Sequence, residues 1–325
     1  MTTETTETTE NAENTESVAP RAAAERTAAT AAVGPEGPAG RRARPRRPRA
    51  WASKAAVNAV LIMLALYTLM PISWLLIAAT KNRRDLFGTN GFSLGEFNLF
   101  SNIHEVFTHN DGIYGRWLLN TLLYAVVGSA LSSLISVAAG YAFDKYAFAG
   151  KEKLFGVVLA GVLVPGAVLT LPMYLLASKA GITNTYWALL IPALVNPFGV
   201  YLARVFSEGY VPYEVLEAAR VDGAGEVRTF RTIALPMLAP GFMTLFLFSF
   251  TASWNNFYGA LVMLNDKDLY PVNLGLHMWN ISTTESPEMY SLAITGSLIA
   301  VIPLVIAFLC LQRFWRSGLT AGAVK

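Results

Sequence analysis

Six stretches of the chain stay apolar for about the length a bilayer core demands, roughly 20 residues per helix. They cover residues 55–79, 117–143, 154–177, 185–203, 237–264 and 291–312, and none contains Asp, Glu, Lys, Arg or His. The pattern predicts six membrane-spanning helices and an all-α polytopic membrane protein. Two of the six are interrupted: the third by Pro165 and Pro172, the fourth by Pro192, Asn196 and Pro197. Membrane helices tolerate proline where neighbours or waters satisfy the freed carbonyls, so both still count as spans.

Composition agrees once the first fifty residues are set aside. That segment has no Ile, Leu or aromatic residue, and holds eight of the 25 Lys/Arg and seven of the 22 Asp/Glu. It cannot bury enough apolar surface to offset its ordering entropy, which predicts a disordered tail over 1–50. Its acidic start and lack of an early apolar core argue against a signal peptide. Over the remaining 275 residues only 32 charged side chains are left, far below the roughly 25% of a soluble domain. The single cysteine, Cys310, excludes an intrachain disulfide and any multi-Cys metal site.

The linking segments set an orientation. With the N terminus inside, the inner segments 41–54, 144–153, 204–236 and 313–325 carry 17 Lys/Arg, against six in the outer segments. This asymmetry predicts both termini in the cytoplasm. Arg41, Arg42, Arg44, Arg46, Arg47, Arg49 and Lys54 precede the first span. They fit a topology signal, with binding to anionic lipid or RNA as the alternative.

One inner segment is more than a connection. Residues 204–236 predict two short helices, the first starting at Pro212 with Val215, Leu216 and Ala219 on one face. Asp222-Gly223 ends it, and Gly225 keeps the turn tight. The second places Val227, Phe230 and Ile233 on one side, and Pro236 marks entry into the fifth span. A half-apolar helix pair protruding from the inner face suits another protein's groove.

Glu217-Ala218-Ala219, Gly223 six residues after the Glu, and Ile233-x-Leu235-Pro236 resemble the EAA---G---------I-LP loop. That loop is the signature of permease subunits in binding-protein-dependent ABC importers. Ala-Ala-Gly-Tyr-Ala-Phe at 138–143, Phe148-Ala149-Gly150, Leu-Pro-Met-Tyr at 171–174, Trp-Asn-Asn-Phe at 254–257 and Gly-Leu-Thr-Ala-Gly-Ala-Val-Lys at 318–325 are similar to the carbohydrate-uptake branch. Within it they match the second, MalG-like permease. The resemblance covers roughly residues 55–325; Asn256 departs from it, standing where many relatives carry an acidic residue.

The resemblance implies the transmembrane domain of a type I ABC importer, with a core over about 115–313 and a coupling loop at 204–236. Glu217, Ala218, Ala219, Asp222, Gly223, Ile233, Leu235 and Pro236 would form the seat on an ATPase subunit. It also implies a second permease as heterodimer partner, two ATP-binding subunits and an extracytoplasmic solute-binding protein. The chain has no Gly-x-x-x-x-Gly-Lys-[Ser/Thr]. ATP and Mg would therefore be bound by the partners, with no cofactor held here and no catalytic residue.

For the pathway, Ser249, Ser253 and Asn256 fall at helical i, i+4 and i+7, with Trp254, Asn255 and Tyr258 beside them. Amides, hydroxyls and flat aromatic faces suit a sugar; interhelical hydrogen bonding is the alternative. Gly128, Ser132, Ser136 and Gly140 form a small-residue stripe that predicts a packing seam. His104, His109 and His277 all fall in outer loops and give no metal site. An importer of another neutral solute stays open. A secondary carrier would need intramembrane acids or paired inverted repeats, and an embedded enzyme would need buried titratable groups; the spans offer neither.

Overall fold

The computed structural model describes residues 49–320. The tail read as disordered, its arginines up to Arg47 and residues 321–325 lie outside them. The chain divides into two units, Met1–Met63 and Leu64–Lys325. The described part of the first is helical, the opening of α1 (Arg49–Thr80).

No strand occurs among the described residues. After α1 come α2 (Arg83–Gly88), α3 (Leu99–Thr108), α4 (Ile113–Lys145), α5 (Lys151–Leu163), α6 (Gly166–Lys179), α7 (Trp187–Ala193) and α8 (Pro197–Tyr210). Then follow α9 (Tyr213–Val221), α10 (Glu226–Thr229), α11 (Leu235–Met237), α12 (Ala239–Trp254), α13 (Tyr258–Met263), α14 (Val272–Ile281) and α15 (Glu288–Thr320).

Among the described residues four stretches are long and apolar enough to cross a membrane, or six when each of two bent helix pairs is taken as one span. All six expected windows are occupied, but three are not continuous helices. In the third, α5 and α6 meet at 107°. Pro165 stands at the corner, and the residue before a proline is pushed out of the helical region: Val164 is extended, with ψ 120°. In the fourth, the Asn-Pro pair does the same. Asn196 has ψ 85°, its side chain accepts a hydrogen bond from the Gly199 amide at 2.8 Å, and Pro197 opens α8. The fifth bends by 76° on entry, between Glu226–Met237 and Ala239–Trp254, and its helix ends at Trp254.

α4 is the centre of unit Leu64–Lys325. It packs along α8 and α12, and the small-residue stripe is the seam: Gly128, Ser132, Ser136 and Gly140 are all buried. With only hydrogen or a CH2OH group on that stripe the backbones approach closely, and packing rather than water exclusion holds the helices. Asn110, Asp111 and Gly112 precede α4 with φ of 47°, 58° and 76°. Short polar residues and glycine tolerate this left-handed turn better than others.

Lys81 is 1% exposed, its Nζ donating to Thr89 Oγ1 at 3.0 Å and to the Asn90 carbonyl at 2.7 Å. Asn102 Nδ2 donates to the carbonyls of Ala79 and Lys81 at 2.8 and 3.0 Å. These bonds pin the end of α1 to α3.

Candidate functional site

The segment between α8 and α12 takes its shape from local sequence. Pro212 is extended and caps α9, so the helix starts at Tyr213, one position later than expected. Leu216 is 2% exposed and Ala219 is buried, while Val215 is half-buried, so the expected inward face is observed. The helix closes on glycine: Gly223 N–H donates to the Arg220 carbonyl at 3.0 Å and Ala224 N–H to the Ala219 carbonyl at 2.9 Å. Gly223 has φ 78°, a conformation that costs other residues roughly 1–2 kcal/mol.

The return arm departs from expectation. α10 lasts one turn, and Phe230–Ala234 is a π-helical turn in which Leu235 N–H reaches the Phe230 carbonyl. Pro236 has no N–H for the carbonyl four residues back, so the ladder widens just before it. Phe230, Ile233 and Leu235 are half-buried and Ala234 is buried, while Val227, which lines a shallow pocket beside Phe230 and Tyr146, is 73% exposed.

Both arms meet in one cluster, where Val211, Leu216, Ala234 and Leu238 pack with Val137 and Tyr141 of α4 and Ala203 of α8. The structure thus brings Ala219, Ile233 and Leu235 to the inner side of the loop. Glu217, Ala218, Asp222, Gly223 and Pro236 lie exposed, together with Val221 at 88% exposure. The outer surface is a small patch of acids, glycine and bare valines on a rigid base.

Sequence reasoning missed the polar ties that stiffen this base. Arg220 Nε donates to Glu226 Oε1 at 2.9 Å across the Gly223 turn, and Tyr146 Oη donates to Glu226 Oε2 at 2.9 Å. The bond from Arg220, then that from Tyr146, holds the Glu226 carboxyl below the usual carboxylate range. Tyr213 Oη donates to the Asp144 carbonyl at 3.0 Å, and Lys145 Nζ lies 4.1 Å from the centre of the Tyr213 ring. The available signal was Arg220 and Glu226 six residues apart around a glycine turn.

The polar residues of the fifth span do not form one helical face. Ser249 and Ser253 are on α12, where Asn196 Nδ2 donates to Ser249 Oγ at 3.2 Å and Ser253 Oγ donates to the Tyr124 carbonyl at 3.1 Å. Asn256 lies beyond the helix. Its Oδ1 accepts from the Gly259 amide at 3.1 Å and starts α13. Trp254 is 2% exposed and packs on Phe250 at 5.5 Å between ring centroids, so its ring offers no open face. Its carbonyl accepts from Asn273 Nδ2 at 2.9 Å. Asn255, Asn256 and Tyr258 are exposed at the break, while Asn196, half-buried before α8, adds an amide beside Ser249.

His109 packs edge-on to Trp279 and His277 edge-on to Phe257, with centroids 5.7 and 4.8 Å apart. Among the described residues no three His, Cys, Asp or Glu side chains gather where they could hold a metal.

A family model described as the binding-protein-dependent transport system inner membrane component matches residues 132–319. An arabinooligosaccharides transport system permease protein of Halalkalibacterium halodurans is 35% identical, over 69% of this chain and 78% of its own. Its counterpart in Bacillus subtilis is 32% identical over 84% of this chain and 96% of its own. A lactose transport system permease protein of Rhizobium radiobacter is 30% identical over 82% and 94%. The fold matches a chain of a bacterial ABC transporter that imports the acidic polysaccharide alginate. There the TM-score is 0.72 at 22% identity, over 83% of this chain and 99% of that one. A second match, at TM-score 0.58 and 14% identity over 83% and 95%, comes from the alginate transporter in complex with a pentasaccharide-bound periplasmic protein.

Proposed function

We infer the role of this chain from its family: it belongs to the binding-protein-dependent transport system inner membrane components, and is a multi-pass membrane transport subunit, not an enzyme. Our reading is that it is one of two permeases of an ABC importer and lines the path of a carbohydrate. The observation that carries the substrate class is the relatives: proteins 30–35% identical over two thirds or more of the chain are permeases for arabinooligosaccharides and lactose. The uncharged spans fit a neutral solute and leave room for one that is not a sugar.

The transport core spans about 115–313, and 204–236 is the coupling loop. Glu217, Ala218, Asp222, Gly223 and Pro236, with Val221 and Val227, make the face that seats in an ATP-binding subunit. Ala219, Ile233 and Leu235 hold that face from within. Two such ATP-binding subunits carry ATP and Mg. A second permease completes the pathway, and an extracytoplasmic solute-binding protein delivers the sugar. The excess of inner Lys/Arg puts the loop and both termini in the cytoplasm. Asn196, Ser249, Ser253, Asn255, Asn256 and Tyr258 are the side chains offered to the sugar.

Reconstitution of the subunit with its second permease, ATPase and binding protein tests this, using radiolabelled lactose and arabinotriose. ATP-dependent uptake that disappears when this chain is omitted supports the reading. Uptake of neither sugar, with another neutral solute entering, reassigns the substrate. Failure of the ATPase to copurify removes the coupling assignment.

A further inference from the structure

α4 is held at both ends by loops on opposite sides of the bundle. At its C-terminal end, three successive residues are gripped by the coupling loop. Tyr213 Oη bonds the Asp144 carbonyl at 3.0 Å, the Tyr213 ring lies under Lys145, and Tyr146 Oη bonds Glu226 at 2.9 Å. Tyr213 opens one arm of that loop and Glu226 opens the other, so both arms close on the same turn. Arg220 joins them through the second oxygen of Glu226.

The opposite end is held more densely. Trp117 Nε1 donates to the Lys267 carbonyl at 2.8 Å, and Asn120 Nδ2 to the carbonyls of Asp268 and Tyr270 at 2.8 and 3.1 Å. Tyr124 Oη donates to the Leu269 carbonyl at 3.0 Å. Four consecutive carbonyls of the 267–270 segment therefore receive bonds from one helix. Thr121 Oγ1 adds a fifth tie by accepting from the Val272 amide at 2.7 Å. Loop backbone fixed by side chains of a helix must follow that helix, because releasing it would strand buried polar groups.

We propose that α4 is a strut joining the coupling loop to the outer 267–272 segment, with Tyr146–Glu226 and Tyr124–Leu269 among its joints. The proposal rests on the coupling reading above and adds the route by which nucleotide-driven motion reaches the solute's side. Tyr146, Glu226 and Tyr124 act as positioning residues; they touch neither nucleotide nor solute. Coupling through a rigid element needs energetic evidence at both ends, which separate measurements at the two loops supply.

The test is amide hydrogen exchange on the whole assembled transporter, with and without MgATP plus vanadate. In the wild type, trapping should change exchange in both the 213–226 loop and the 267–274 segment. Tyr146→Phe and Tyr124→Phe keep ring volume and remove one joint each. Each should cut the outer response at least two-fold while the coupling-loop response stays at the wild-type level. Glu226→Gln should weaken the outer response in the same direction. A full outer response in both Phe variants overturns the strut and leaves the coupling assignment standing. So does a wild type whose coupling loop responds while 267–274 does not. A wild type with no response in the coupling loop overturns both.

Discussion

A Cβ atom added to Gly140 on α4 would sit 2.5 Å from the Cβ of Ala203 on α8. The same atom would lie 2.5 Å from the Arg204 amide nitrogen, so the obstruction is backbone and cannot swing aside. Gly140→Ala should therefore push the two helices apart at an overpacking cost of about 1–3 kcal/mol. Gly140→Leu should prevent recovery of a folded subunit from membranes. Thermal unfolding of the purified complex measures the first and membrane yield the second. Wild-type stability in Gly140→Ala would mean that the seam is looser than drawn.

Gly223 separates backbone from contact effects. A Cβ there meets nothing within 4 Å inside the chain, yet its φ is 78°. Gly223→Val should abolish uptake while the spans insert normally, because a β-branched residue resists the left-handed region. Gly223→Asn should retain much of the activity, since asparagine accepts that conformation. Equal loss in both variants would move the cause to the partner's groove. Normal transport by Gly223→Val would remove the docking assignment.

Trp254 and Asn256 should fail in different ways. Trp254 is buried against Phe250, so Trp254→Ala should cost about 3–5 kcal/mol and reduce copurified second permease along with uptake. The Asn256 side chain is exposed, and its Oδ1 accepts from the Gly259 amide in the first turn of α13. Losing such a bond is worth about 1 kcal/mol. Asn256→Leu should lower radiolabelled sugar uptake several-fold while the complex still copurifies and hydrolyses ATP. Copurification falling in step with uptake would make Asn256 a packing residue.

Topology has its own check. A reporter fused after Lys151, where α5 begins, should be cytoplasmic. One inserted beside Asn184, whose Oδ1 accepts from the amides of Asn265 and Asp266 at 2.9 and 2.8 Å, should be external. Reversal at both sites would put the 204–236 loop on the wrong face for an ATPase.

The six spans were legible because lipid forces a long uncharged run wherever the chain crosses it, and no other context produces six of them. The coupling loop was legible because Gly223 and Pro236 each solve a backbone problem that few residues can. Pro165 and Asn196-Pro197 announced two of the breaks. The break after Trp254 was silent. Trp254-Asn255-Asn256-Phe257 contains no proline or glycine, and the helix ends there through Asn273, which takes the Trp254 carbonyl from 19 residues away. A periodicity extended past Trp254 had to misplace Asn256 for that reason. The π-helical turn over Phe230–Ala234, just before Pro236, was not legible either, because a periodicity count assumes an unbroken α ladder. The Tyr146–Glu226 bond joins positions 80 apart, which no local pattern reports.

The length of α4 has a mechanical corollary. Its 33 residues make a rod of about 50 Å at 1.5 Å per residue. Pivoting such a rod near one end by only about 5° sweeps its far tip through roughly 4 Å at that length, comparable to the thickness of a pyranose ring. A nucleotide-binding step that barely disturbs the loop at one end would then suffice to open or shut a sugar-wide gap at the other. The gain of the device would scale with helix length rather than with the strength of any single contact.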